Sequence, residues 1–91
     1  MAFKTAIIGL GIMGQRMLEH MSQHPDFSVS AVWDPDQTAC VEAHALAPAS
    51  KIAQSAEDAI ADADLVYLAC PPAPRKAYAL AAAEQGKAVF L

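Results

Sequence analysis

Phe3-Lys4-Thr5-Ala6-Ile7-Ile8-Gly9-Leu10-Gly11-Ile12-Met13-Gly14 is the stretch that decides the fold. The run Phe3–Ile8 is short and apolar at its end, the signature of a buried strand, and a segment with helical periodicity follows the glycines. Each glycine has a distinct task. Gly9 lets the chain turn sharply off the strand, Gly11 removes a Cβ so that backbone can touch a pyrophosphate, and Gly14 lets the helix pack closely. The helix then aims its free N–H groups and the positive end of its dipole at an anion. Asp34 stands 20 residues beyond Gly14. A glycine pattern alone is a weak signal. Strand, glycine turn, helix and acid in this order predict a dinucleotide site.

Outward from that stretch, elements alternate in type. The helix from Ile12 to Gln23 carries Met13, Met17 and Met21 at i, i+4 and i+8 with Leu18 beside them, a stripe expected to face the core. His24-Pro25-Asp26 breaks it, and Phe27–Trp33 reads as a second strand. Asp36 is the expected N-cap of a helix over Gln37–Leu46. A short third strand falls at Lys51–Ala53, and Ser55 with Asp58 forms a capping-box pattern for the next helix. Asp64–Cys70 suits a buried central strand, and Pro71-Pro72-Ala73-Pro74 an extended loop. Pro74 then opens a last helix that runs to Gln85 and stops at Gly86, and Ala88–Leu91 begins a fifth strand. The fold class is α/β, a doubly wound parallel sheet ordered 3-2-1-4-5 under the right-handed crossover rule. With no sixth strand, residues 1–91 are expected to be the N-terminal part of a larger two-domain protein.

The chain has 91 residues, 55% of them hydrophobic and 18% charged, with a formal net charge of −4. No basic run or basic-aromatic interleaving supports nucleic-acid binding. No apolar stretch approaches the roughly 20 residues that span a bilayer. Met1-Ala2-Phe3-Lys4 enters a strand without a leader pattern, so the expected compartment is the cytoplasm. Cys40 and Cys70, the two cysteines, suggest neither a disulfide framework nor a zinc site. Cys40 and His44 share one helix face at i, i+4, but with no third ligand no metal is expected. His20 and His24 read as surface residues.

Asp34 ends the second strand, beside the first, where a carboxylate accepts from ribose 2′- and 3′-hydroxyls and repels a 2′-phosphate. No Arg or Lys lies between positions 34 and 50 to neutralise such a phosphate. The expected cofactor is therefore NAD, with NADP second. Cys70-Pro71-Pro72 ends the fourth strand on the same crevice, and its two prolines make a stiff wall. No base stands near Cys70 in sequence to make it a nucleophile. Arg75 and Lys76, in the first turn of the last helix, are expected to extend into water.

The run from His24 through Trp33-Asp34-Pro35-Asp36, then Leu68-Ala69-Cys70-Pro71-Pro72 and Ala79 through Gly86-Lys87-Ala88-Val89, resembles the N-terminal Rossmann domain of the GFO/IDH/MocA oxidoreductases. The resemblance covers essentially the whole chain. It implies a nicotinamide-dependent dehydrogenase that oxidises a secondary alcohol of a sugar or polyol by hydride transfer. It also implies a second α/β domain that closes the substrate site and mediates homo-oligomers. Carried over, Gly9, Leu10, Gly11, Ile12, Met13 and Gly14 hold the pyrophosphate, Asp34 the ribose, and Cys70, Pro71 and Pro72 line the path to the nicotinamide. The family's Glu-Lys-Pro segment, with its proton-transfer lysine, would begin where this chain stops, so no catalytic residue is assigned. Many members also carry His where this chain has Arg75. Gly-Leu-Gly-Ile-Met-Gly is similar as well to the β-hydroxyacid dehydrogenases of the 3-hydroxyisobutyrate type. A non-catalytic NAD-binding module is the third alternative.

Overall fold

The computed structural model describes residues 3–90. Five strands alternate with four helices: β1 (Phe3–Ile8), α1 (Ile12–Ser22), β2 (Phe27–Trp33), α2 (Gln37–Leu46), β3 (Lys51–Ile52), α3 (Ala56–Ala61), β4 (Leu65–Leu68), α4 (Pro72–Glu84) and β5 (Ala88–Phe90). The strands form one parallel sheet in the order β3-β2-β1-β4-β5. Both the order and the direction match the sequence expectation. Leu91, the expected end of β5, lies outside the described residues.

The two faces of the sheet divide the core in two. Ile7, Val29, Val32 and Leu65 meet Leu18 and Met21 of α1 and Cys40 and Ala43 of α2 on one face. Ala6, Ile8, Ala31, Val66 and Leu68 meet Ala56, Ala59 and Ile60 of α3 and Ala82 of α4 on the other. Strands buried on both faces are what an all-parallel sheet requires. The winding explains the split. From β1 the chain steps outward to β2 and β3, then crosses back to β4 and β5, and reversing direction moves right-handed crossovers to the opposite face. The reversal falls between β1 and β4, so the crevice beyond their carboxyl ends is where ligands bind in such sheets.

Three local expectations need correction. The helix α4 starts at Pro72, two residues before the expected Pro74 start, and only Pro71 (φ −57°, ψ 158°) keeps the extended conformation. Proline is tolerated in the first turn because its missing N–H would have no intrahelical partner there. The methionine stripe is core only in part: Leu18 and Met21 are buried and Met17 half-buried, but Met13 is 60% exposed. It sits in the first turn of α1, ahead of the residues that pack on the sheet. Finally, Ser55 Oγ accepts from the Asp58 N–H at 3.1 Å, so half of the expected capping box forms.

Candidate functional site

The carboxyl ends of β1, β2 and β4 converge on a cavity of about 320 Å³ lined by Ile8, Gly9, Trp33, Asp34, Pro35, Cys70, Pro71, Pro74 and Tyr78. Of the glycine turn, Gly9 lines it. Gly9 has φ +98°, a conformation open to glycine, and a Cβ there would lie 2.6 Å from the Cys70 nitrogen and 2.7 Å from the Ala69 carbonyl carbon. Gly14 is closer still: its Cβ would collide with the Gly9 carbonyl oxygen, and it would also sit 3.5 Å from Ala69 Cβ. The turn, the start of α1 and the end of β4 thus touch backbone to backbone.

Gly11 differs. A Cβ at this position meets no protein atom within 4 Å. The space in front of Gly11 is open, and Gly11 is the N-cap of α1 with no side-chain cap and no acidic residue in the first turn. By contrast Asp36 accepts from Thr38 N–H at the start of α2, and Ser55 caps α3. A helix leaves its first N–H groups without intrahelical partners, and these need side chains, water or a ligand. At α1 those of Ile12, Met13 and Gly14 precede the first intrahelical bond, from the Gln15 N–H to the Gly11 carbonyl at 2.9 Å. The side chains of Ile12 and Met13 are 77% and 60% exposed, so their contribution here is the backbone. The arrangement fits a pyrophosphate, whose charge also complements the helix dipole. Gly11→Ala should accordingly leave the thermal midpoint nearly unchanged, the N-cap change costing under about 1 kcal/mol. It should weaken dinucleotide binding, because the new methyl fills the phosphate's approach. Calorimetry on the free and ligand-titrated variant checks both halves.

Asp34 is anchored from two sides. Its Oδ2 accepts from the Leu10 N–H at 2.7 Å and its Oδ1 from the Asp36 N–H at 2.8 Å. An ionised carboxylate offers about four lone-pair sites, so two remain for hydroxyl donors. The bond to Leu10 ties the end of β2 directly to the glycine turn. Leu10 is itself fully buried, and its N–H is committed to Asp34, so its place in the site is structural. Cys40 Sγ lies 3.3 Å from the Asp34 carbonyl and braces it from α2, while His44 Nδ1 lies 2.9 Å from the Ser50 carbonyl. Among the described residues no three His, Cys, Asp or Glu side chains gather to hold a metal.

Cys70 is buried and, with Pro71, lines the cavity; Pro72 is exposed and does not. Sequence reasoning missed Pro74 and Tyr78. Pro71, Pro74 and Tyr78 follow at i, i+3, i+7, one face of α4, a pattern visible only once the helix is started at Pro72. Tyr78 stands edge-on to Trp33, ring centroids 6.2 Å apart. Burial, then the nearby Glu57, Cys70 and Asp34, push its phenol above the ordinary value of 10, which keeps it a neutral donor at physiological pH. Arg75 also departs from expectation. It is half-buried, and its Nη2 donates to the Cys70 carbonyl at 2.8 Å.

A parallel α/β sheet with an uncapped glycine-turn helix and a strand-end carboxylate at its switch point defines a dinucleotide-binding domain. Residues 3–91 match the model of the GFO/IDH/MocA oxidoreductase family, NAD-binding Rossmann fold. The chain belongs to that family. Among solved structures it is similar to myo-inositol dehydrogenase from Lactobacillus casei in complex with NAD(H) and myo-inositol, with TM-score 0.91 and 24% identity over 99% of this chain and 28% of that one. It is also similar to myo-inositol 2-dehydrogenase from Lactobacillus plantarum, with TM-score 0.89 and 22% identity over 99% of this chain and 27% of that one. A third is UDP-N-acetylglucosamine 3-dehydrogenase from Acidithiobacillus ferrooxidans, with TM-score 0.83 and 21% identity over 98% of this chain and 29% of that one. The chain therefore spans less than a third of the length of each of these three. No curated protein matches it at the sequence level.

Proposed function

We propose that this chain is the cofactor-binding part of an NAD-dependent dehydrogenase that oxidises a secondary alcohol of a sugar or polyol. The observation that carries the cofactor half is the N-terminus of α1, uncapped and open in front of Gly11, beside an Asp34 carboxylate with acceptor sites to spare. The free N–H groups of α1 hold the pyrophosphate, and Asp34 accepts from the ribose hydroxyls. Gly9 and Gly14 shape the turn, and Cys70 and Pro71 wall the cleft, with Pro72 behind them. The carboxylate disfavours a 2′-phosphate by like-charge repulsion, which selects NAD over NADP. When bound, the nicotinamide supplies the hydride acceptor.

Membership of the oxidoreductase family supports the substrate half, as do the similar solved dehydrogenases that hold myo-inositol or scyllo-inositol with NAD(H). Alcohol oxidation also releases a proton, and this cleft holds Tyr78, whose raised pKa suits it poorly as a base. We assign proton transfer, substrate closure and homo-oligomer contacts to a second α/β domain of a longer protein. Residues 1–91 then serve cofactor position and electrostatics. None of the described helices is long and apolar enough to cross a membrane.

Trp33 lines the cleft and is the chain's one tryptophan, so its emission reports on ligand entry. NADH should quench it saturably, and NADPH should bind at least about tenfold more weakly, the equivalent of 1.4 kcal/mol. Equal affinity for the two would remove the Asp34 assignment. Unchanged emission and no heat at millimolar NADH would remove the dinucleotide site itself.

A further inference from the structure

We propose that Arg75 is a positioning residue for the dinucleotide site: its guanidinium holds the Cys70 carbonyl and, through it, the backbone against which the glycine turn rests. The proposal rests on the dinucleotide reading above. Its origin lies in the proline content of the segment. Of the four residues after Cys70, Pro71, Pro72 and Pro74 have no N–H, and only Ala73 carries one. The carbonyl of a buried residue is thereby left in a stretch poor in backbone donors, and an unmet buried acceptor is costly. Arg75 reaches back five positions to supply one, at 2.8 Å.

The side chain holds this position against several opposing terms. It lies in the first turn of α4, where the helix dipole disfavours positive charge. Its Nε is buried with no hydrogen-bond partner. Among the described residues no carboxylate pairs with it within 4.0 Å. A fully solvated arginine would hydrate that nitrogen and screen its charge, as Lys76 beside it does by staying exposed. The bond to Cys70 is the compensating gain, and a planar fork with several donors suits it better than a flexible ammonium.

What this bond holds matters for the site. The Cys70 nitrogen and Cα lie directly behind Gly9, 2.6 Å and 2.9 Å from where a Cβ would be. The Gly9 carbonyl oxygen is in turn what Gly14 packs against at the start of α1. One unbroken line of contacts therefore runs from Arg75 through Cys70 and Gly9 to Gly14. A shift of Cys70 displaces the turn, because close-packed backbone has no slack to absorb it.

The test compares the 91-residue chain with its Arg75→Met and Arg75→Lys variants, reading NADH affinity and amide hydrogen exchange without nucleotide. Arg75→Met should weaken NADH about tenfold, some 1.4 kcal/mol, and Arg75→Lys should recover most of that loss because its ammonium can still donate to the carbonyl. Exchange at Gly9, Leu10 and Gly11 should quicken in Arg75→Met while Val32 and Val66 keep their protection, the mark of a local rather than global change. Parent-like affinity in Arg75→Met overturns the proposal, and so does a lysine variant as weak as the methionine one. If the parent binds no NADH, the dinucleotide reading fails. Unchanged exchange at the three turn amides would then sink the positioning role independently. Should Arg75→Met not fold, Arg75→Gln replaces it and must fall below Arg75→Lys in the same measurements.

Discussion

Replacing Gly14 by alanine should lower the thermal midpoint by roughly 12 °C and abolish dinucleotide binding. The added methyl gains helix propensity, about 1 kcal/mol in favour of alanine. It loses far more, because the atom in its way is the Gly9 carbonyl oxygen, held by the turn and by Cys70 behind it. A flexible side chain would yield, but backbone at this point does not. Overpacking of this kind costs about 3 kcal/mol at the upper end of its usual range. In a domain of this size each kilocalorie shifts the midpoint by about 4–8 °C. Binding should fail for the same reason, since α1 must move off the turn and its N–H groups leave the proposed phosphate position. Thermal unfolding followed by circular dichroism, with and without NADH, measures both effects. A midpoint within a few degrees of the parent would show that the turn is softer than its contacts imply. The contrast with Gly11 is the sharper point. The same substitution three residues earlier should spare stability and cost only binding, because no protein atom stands before it.

How much of this was legible in the sequence depended on whether the signal was local. Strands β1 and β2 are apolar runs bounded by Gly9 and by His24-Pro25-Asp26, and both ends of each are found where the pattern puts them. The cap at Asp36 is likewise a one-residue signal, and its side chain does accept from Thr38. The bulge in β2 is not written locally. Ser30 is the extra residue between the pairs Thr5–Val29 and Ala6–Ala31, and it puts Val29 and Val32 on one face against a strict alternation. Of the cleft, Gly9 and Asp34 follow from spacing along the chain, and Cys70 from its place at the end of the fourth strand. The start of α4 does not, because prolines signal both loops and first turns. That two-residue error hid the face carrying Pro71, Pro74 and Tyr78, and with it the reach of Arg75 back to Cys70. The Leu10–Asp34 bond joins residues 24 apart, and only the packing of β2 beside β1 brings them together.

That bond gives Asp34 a structural task apart from the ribose contact proposed for it, and its removal should show this before any ligand is added. In Asp34→Ala the Leu10 N–H, beside a fully buried side chain, loses its acceptor, and an orphaned buried donor costs about 1–3 kcal/mol. The Asp36 N–H is exposed, and water replaces the carboxylate there at little cost. The expected fall in midpoint is on the order of 10 °C, against a smaller fall for Asp36→Ala, which removes a helix cap worth about 1 kcal/mol. Affinity for NADH should drop about 100-fold, since two charge-assisted hydrogen bonds to the ribose and the anchor of the turn go together. Asp34→Asn separates the terms. Its single carbonyl oxygen can satisfy Leu10 or Asp36 but not both, so stability should fall part of the way while ribose recognition suffers most. It follows that substituting Asp34 to admit a 2′-phosphate should relieve the repulsion but loosen the turn proposed to hold the pyrophosphate. Asp34→Ser should therefore bind NADPH more weakly than the parent binds NADH. An alanine variant with an unchanged midpoint, or a serine variant that takes NADPH as tightly as the parent takes NADH, would show that the turn holds its shape without Asp34.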